Sequence, residues 1–581
     1  MSKYKVLETG ETVNLTKDNF KAAGGEGKVY IIADTVYKIC EPGKMIPDRK
    51  IKELSVLKHQ SIVIPQNTLV DSKNIPVGYT MNLVPNNARP LAQILTKSYR
   101  EREGVSVTQM MDLVQQIADG IRFIHKHNGY LQVDGNEFNY MITSDHKNAF
   151  FIDVNSFQTP NFPATAIMPS IRDWHVAKDS TNNYVWTQLS DWYSFAIISF
   201  YMFTAIHPFK GRHPSFTNMK TFMVDQMKNV KSVLDPESQC PLGAIYHPFE
   251  NFIPGGKDGA FMQWYKAIFI ENKRFPAPKD FQTTFVIITK IKEIIGSNNF
   301  DIREIRNFYE QIVGYYENNG EEVAVTRNHI YLNSVKQPRP SDRFRVGFTS
   351  KLNVPFACWI EDEKLKIKNL KDNQLIPIDL SVDDIMSCEG RVYAKGKQSI
   401  FEIDFIEKNG MIATTKLVAS VMPNSTTMYQ GVVVQDMFGT LMFSMFPKSG
   451  HHRQTKIPEL ENFKIFEAKY ENNVLMVLAV ENNTGNYHRF IFRFDEDWLS
   501  YDVRNVENIA PSGINFTVNK NGICINLTEE EKIEIFSNQK NKSSISVFDD
   551  PAIDGNIKLC HSGNQVRFAR DSKLFDISVK R

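Results

Sequence analysis

Asp134 and Asn139 lie five residues apart in the stretch Tyr-Leu-Gln-Val-Asp-Gly-Asn-Glu-Phe-Asn-Tyr-Met-Ile, which carries no helical period and reads as a loop. Fourteen residues after the asparagine, Asp153 ends the apolar run Phe-Phe-Ile-Asp-Val-Asn. Two carboxylates and one amide oxygen in this order form an oxygen-ligand set, suited to magnesium and to a base for phosphoryl transfer. Singly, each has a plainer use: Asp134 in a turn, Asn139 as a cap, Asp153 at a strand end. Upstream, Gly24, Gly25 and Gly27 stand directly before a strand, where absent side chains let backbone N–H groups approach phosphates. A simple turn has the same composition. Lys38 sits among Val36, Tyr37, Ile39 and Cys40 on the next strand. From there an ammonium can reach back under the glycine loop, or it can face solvent.

These groups need elements to hold them. Residues 29–32 and 35–40 read as two strands joined at Ala33-Asp34, followed by a helix over 48–59 and extended segments at 61–64 and 77–83. Met111, Val114, Ala118, Ile121 and Ile124 recur at helical spacing over 107–127. Strands at 140–143 and 149–153 flank a turn, a helix covers 192–203, and 218–315 holds further helical patterns, so a strand lobe precedes a helical lobe. Beyond about residue 320 the texture changes to short alternating runs separated by Asn, Gly, Asp and Lys. Asn521-Gly522 and Glu389-Gly390 are hairpin turns. Gly390 and Gly563 bracket four units of about 43 residues, a blade-sized repeat that predicts a β-propeller of about six blades over 322–581. A sandwich or another blade count is the alternative.

In this order, the glycine loop, strand lysine, Asp134, Asn139 and Asp153 resemble the protein kinase superfamily over about residues 20–280. The closest group is the bacterial and phage kinase-domain proteins with a Gly-Gly-Glu-Gly loop, some of which carry a helix-hairpin-helix segment that this chain lacks. The resemblance implies ATP and Mg2+, with Gly24, Gly25 and Gly27 over the phosphates, Val29 over adenine, and Lys38 on the phosphates. It further implies Glu53 orienting that lysine, Asp134 as the catalytic-loop aspartate, and Asn139 and Asp153 as metal ligands. Asp191, leading the 192–203 helix, and the His207-Pro-Phe segment match the buried aspartate and following motif of the family's core helix. Gln132-Val133 stands where the family has His-Arg, so control by activation-loop phosphorylation is not expected. Asn155 replaces the glycine of the metal motif at a turn needing positive φ, and Arg274 is left without its usual glutamate.

The expected fold class is therefore multidomain α+β: a bilobal protein kinase-like domain (1–282), a helical linker (283–321) and an all-β, propeller-like domain (322–581). The expected function is a Ser/Thr-type protein kinase whose β-domain recruits a protein substrate or partner. A pseudokinase scaffold and a small-molecule kinase are the alternatives. The net charge of +2, with 42% hydrophobic and 23% charged residues, gives no electrostatic reason for nucleic acid or membrane as partner. The six scattered cysteines, polar N-terminus and longest apolar run of 15 residues predict a cytoplasmic protein.

Overall fold

The computed structural model describes residues 2–85, 87–165, 167–216, 222–240, 246, 248–279, 296–408, 410–498, 500–510, 513–542 and 544–580. Seven N-terminal strands form one antiparallel sheet: β1 (Ser2–Val6), β2 (Thr12–Leu15), β3 (Phe20–Gly24), β4 (Gly27–Ile32), β5 (Thr35–Cys40), β6 (Thr68–Val70) and β7 (Pro76–Asn82). Their spatial order is β2-β1-β6-β7-β5-β4-β3. Helices α1 (Asp48–Leu54), α2 (Leu91–Ile94), α3 (Lys97–Glu103) and α4 (Val107–His125) follow, with a small sheet of β8 (Arg89–Pro90), β9 (Tyr140–Ile142) and β10 (Ala149–Phe151). Helix α5 (Gln188–Thr204) is buried at every residue from Ser190 onward, as expected of a helix apolar all round. The shorter α6 (Phe222–Asn229) and α7 (Ala260–Phe269) complete the first half.

The expected fold class, a bilobal kinase-like α+β domain with a helical second lobe, is overturned. Strand makes up 39% and helix 16%, with many small antiparallel sheets. Within 205–279 the described helices are short, α6 and α7, and Pro208, Pro214, Pro236, Pro248, Pro254, Pro276 and Pro278, which remove backbone donors and clash with preceding turns, interrupt the segments around them. Residues 280–295, which hold the isoleucines of the expected helical linker, lie outside the described residues. From Phe300 the chain is strand, not linker: β11 (Phe300–Asn307) pairs antiparallel with the last strand of the chain.

After β11, 27 strands from Ile312 to Val579 form six four-stranded antiparallel meanders and three strands of a seventh, which β11 completes. In chain order these sheets span 312–338, 345–376, 384–420, 426–456, 463–506, 516–548 and 558–579. The seventh packs against both the first and the sixth, closing a ring. There are seven sheets rather than about six because the closing strand and the whole first strand of the first sheet precede residue 322. Periodicity cannot reveal a pairing made across 270 residues. Local turn chemistry does act as read: Glu389 and Gly390, at φ 49° and 78°, supply the positive-φ pair of a two-residue hairpin joining Cys388 to Arg391.

The two halves share one hydrophobic core. Leu113, Val114, Ile117, Phe195 and Phe200 belong to the same buried cluster as Phe466, Met476, Leu478, Tyr487 and Phe516 of the ring. Helix α3 enters the ring's opening: Glu103 pairs with Arg343 at 2.7 Å and Arg345 at 2.9 Å, Arg102 with Glu467 at 3.0 Å, and Glu101 with Lys558 at 2.9 Å. Among the described residues no helix is long and apolar enough to cross a membrane.

Lys210 illustrates this burial. It bonds to Asn508 of the ring, and burial pulls its pKa from 10.5 down to about 7. Between those values the unfolded chain holds a proton the folded one lacks, so this group makes stability rise with pH across that window. Melting profiles at pH 7 and 9 are expected to show this rise in the wild type and a smaller one in Lys210→Met. Parallel profiles would show that the lysine is not buried neutral.

Candidate functional site

The β3–β4 and β4–β5 hairpins set the roof. Val29 faces Lys38 across β4 and β5, and Lys38 faces Tyr79 on β7. Gly27, at φ 155°, is required there, since a Cβ would lie 2.2 Å from the Ile39 carbonyl oxygen. Gly24 and Gly25 have nothing within 4 Å of a Cβ position, so the loop tip stands open. Lys38 is 8% exposed, and its Nζ donates to Glu26 Oε2 at 2.7 Å, Asp153 Oδ1 at 3.2 Å and Asn155 Oδ1 at 3.3 Å. Burial disfavours the ammonium, but Tyr79, Asp153 and Glu26 more than offset it, and the pKa is raised.

The β9–β10 hairpin forms the floor. Because Tyr140 pairs with Phe151 and the Ile152 N–H donates to the Asn139 carbonyl at 3.0 Å, Asn139 and Asp153 emerge at the same end. Asp153 occupies left-handed backbone, φ 57°. Asn139 Nδ2 donates to the Asp134 carbonyl oxygen at 2.7 Å and to its Oδ2 at 3.3 Å, which leaves Asn139 Oδ1 with no donor among the described residues. Asp134 Oδ1 accepts the Met168 N–H at 2.9 Å. Burial raises the Asp134 pKa, opposed by Met168 and Asn136 and assisted by Asp153. The loop itself is held by Asp191, 2% exposed, which accepts the N–H groups of Gln132 at 2.9 Å and Val133 at 2.8 Å and bonds to His125 at 2.8 Å. Val133 takes φ 60°, a costly conformation for a β-branched residue, and Asp191 is what pins it.

Lys38, Asp153, Asn139 and Asp134 are thus brought together, with Gly24, Gly25, Gly27 and Val29 above them. Glu53 is not. Its carboxylate accepts Thr159 Oγ1 at 2.7 Å and Asn161 Nδ2 at 2.8 Å, and Glu26 takes the expected place beside Lys38. Helix α1 is only seven residues long and Glu53 lies in its last turn, so the side chain is turned to the segment after Phe157. Positive φ falls on Asp153, one residue pair earlier than the expected Asn155, which instead bridges Lys38 and Glu26 through its side-chain amide. Arg274 does find a carboxylate, pairing with both oxygens of Asp173 at 2.6 and 2.7 Å. Sequence reasoning missed Glu26 and also Lys50, a buried lysine of α1 whose charge is favoured by Glu26, Glu53 and Asp153 against the larger cost of burial. Glu26 had a visible signal: a carboxylate within the glycine cluster itself.

Two further features lie away from this site. His213, Asp235 and Glu237 place ligand-type atoms within 4.8 Å of one another. His213 Nδ1 accepts the Ser215 N–H at 3.2 Å, while Nε2 lies 3.3 Å from the exposed Glu237 carboxylate without a hydrogen bond to it. A cavity of about 1360 Å³ is lined by Arg89 and by residues of α3 and of the ring, among them Glu103, Tyr315, Glu471 and His561, and does not include Lys38 or Asp153.

Comparison of the chain with protein-family models gives no match, and comparison with curated proteins gives none.

Proposed function

We propose that the Lys38–Asp153 cleft is a magnesium-dependent site for ATP, and that it transfers a phosphoryl group to a protein serine or threonine hydroxyl. The observation that carries this is the meeting of Lys38 and Asp153, 115 positions apart, beside an asparagine bonded to a second aspartate. Lys38 binds the nucleotide phosphates and the open glycine tip covers them. Asp134, with its pKa raised by burial, orients the acceptor hydroxyl and takes its proton. The oxygen chemistry of Asp153 and Asn139 Oδ1 fits a hard divalent cation. Bound there, magnesium supplies neutralisation of phosphate charge. The ring supplies the surface that recruits the protein substrate or partner.

Asp153→Ala is expected to abolish most of the magnesium dependence of ATP binding, weakening affinity by roughly tenfold or more, in line with the loss of a charged partner. Titration calorimetry with and without magnesium reads this directly, and unchanged affinity excludes Asp153 as a ligand. One observation favours a second reading, a nucleotide-binding scaffold without transfer: Glu26 and Asn155 already satisfy Lys38, while Glu53 is engaged elsewhere. Incubation with labelled ATP and magnesium separates the two, since only the transferase modifies itself or a protein acceptor.

A further inference from the structure

The ring touches both walls of the cleft. In its fourth sheet, β strands at Val432–Met437 and Thr440–Met445 are joined by Phe438-Gly439, at φ 58° and 97°. Asp436 accepts the Gly439 N–H through Oδ1 at 2.6 Å and the Ala23 N–H through Oδ2 at 2.8 Å. Ala23 immediately precedes Gly24, so this carboxylate anchors the glycine loop at its root. Phe438 packs on the fully buried Phe20 with ring centroids 4.5 Å apart. Asn424 Nδ2 also donates to the Asp18 carbonyl at 3.3 Å.

The fifth sheet holds the opposite wall. Tyr487 donates to Glu137, and Lys464 Nζ lies 4.8 Å from the Phe138 ring centroid, both partners lying between Asp134 and Asn139. A Cβ on Gly485 would stand 3.1 Å from Ser170 Oγ and 3.3 Å from Met168 Cγ, beside the N–H that Asp134 accepts.

We infer that the ring is a working component of the cleft, and that Asp436 is a positioning residue that presets the glycine loop over the phosphate-binding lysine. The inference rests on the proposed function for the identity of the ligand. An open tip with two adjacent unconstrained glycines loses much conformational freedom on closing over a ligand, and an anchor at its root removes part of that cost beforehand. Two N–H donors approach two different oxygens of one carboxylate, and asparagine puts a non-accepting NH2 in place of one of them, so that position loses its contact.

The test uses the full chain with Asp436→Ala and Asp436→Asn. Amide exchange over residues 20–28 is expected to accelerate about tenfold in Asp436→Ala, with exchange in the first two ring sheets unchanged. Affinity for ATP with magnesium is expected to fall about three- to tenfold, with Asp436→Asn intermediate in both measurements. Should the alanine variant fail to fold, the asparagine variant carries the comparison. Wild-type binding together with unaltered loop exchange, or unaltered affinity, in the variants overturns this inference alone. Absence of binding by the wild type overturns the proposed function, and the positioning role with it.

Discussion

Asp134→Ala is expected to leave affinity for ATP with magnesium within about threefold of the wild type while lowering phosphoryl transfer by roughly 10²–10⁴-fold, the range for loss of a positioned proton acceptor. The separation follows from what Asp134 touches. It contacts Asn139 and the Met168 N–H but makes no bond to Lys38, so the phosphate-holding group keeps its partners when the carboxylate is removed. Asp134→Asn keeps the shape and the Met168 bond but cannot accept a proton, and is expected to match the alanine variant in transfer rate. Initial-rate assays over a range of acceptor concentrations check this. Wild-type turnover in either variant would remove Asp134 from the chemistry.

Glu103→Gln is expected to cost about 3–5 kcal/mol of unfolding free energy, the penalty for stranding buried charge. The Glu103 side chain is 3% exposed and pairs with Arg102, Arg343 and Arg345. Burial alone would lift its pKa, but Arg345, Arg343, Arg102 and Arg89 hold it well below 4.5. Its contribution is therefore whole above the unfolded value and is lost as pH falls toward the folded one, so the glutamine variant should also lack part of the wild-type acid sensitivity. Denaturant titration at neutral and mildly acidic pH measures both effects. Because one apolar core spans α3's neighbours and the ring, the loss is expected in a shared transition rather than in the release of a separate module. A shift under about 1 kcal/mol, typical of exposed pairs, would show that α3 is not sealed in the ring's opening.

Much of the candidate site is legible because motif chemistry is local in character. A hairpin with Asn139 before one strand and Asp153 after the next must place both at one end, whatever surrounds it. Gly27 is needed by the neighbouring strand's backbone, and the Glu389-Gly390 turn by the twist of its hairpin. The stripe on α4 is likewise nearly as read, with Val114, Ala118, Ile121 and Ile124 inside and Met111 only partly covered. Glu53 shows the limit. Its spacing from Lys38 suits a pairing, yet Glu26 is nearer once the loop folds back, and Thr159 and Asn161 capture Glu53 instead.

What the chain's residue types specify, then, is short range: which segments turn, which alternate, and which side chains are able to bind phosphate or metal. Which carboxylate each cation takes, the closure of seven sheets by pairing Phe300 with Val579, and the seating of α3 among the ring's arginines were settled only on folding. Those choices depend on distances between residues remote in sequence, and such distances exist only once the apolar core common to both halves has formed.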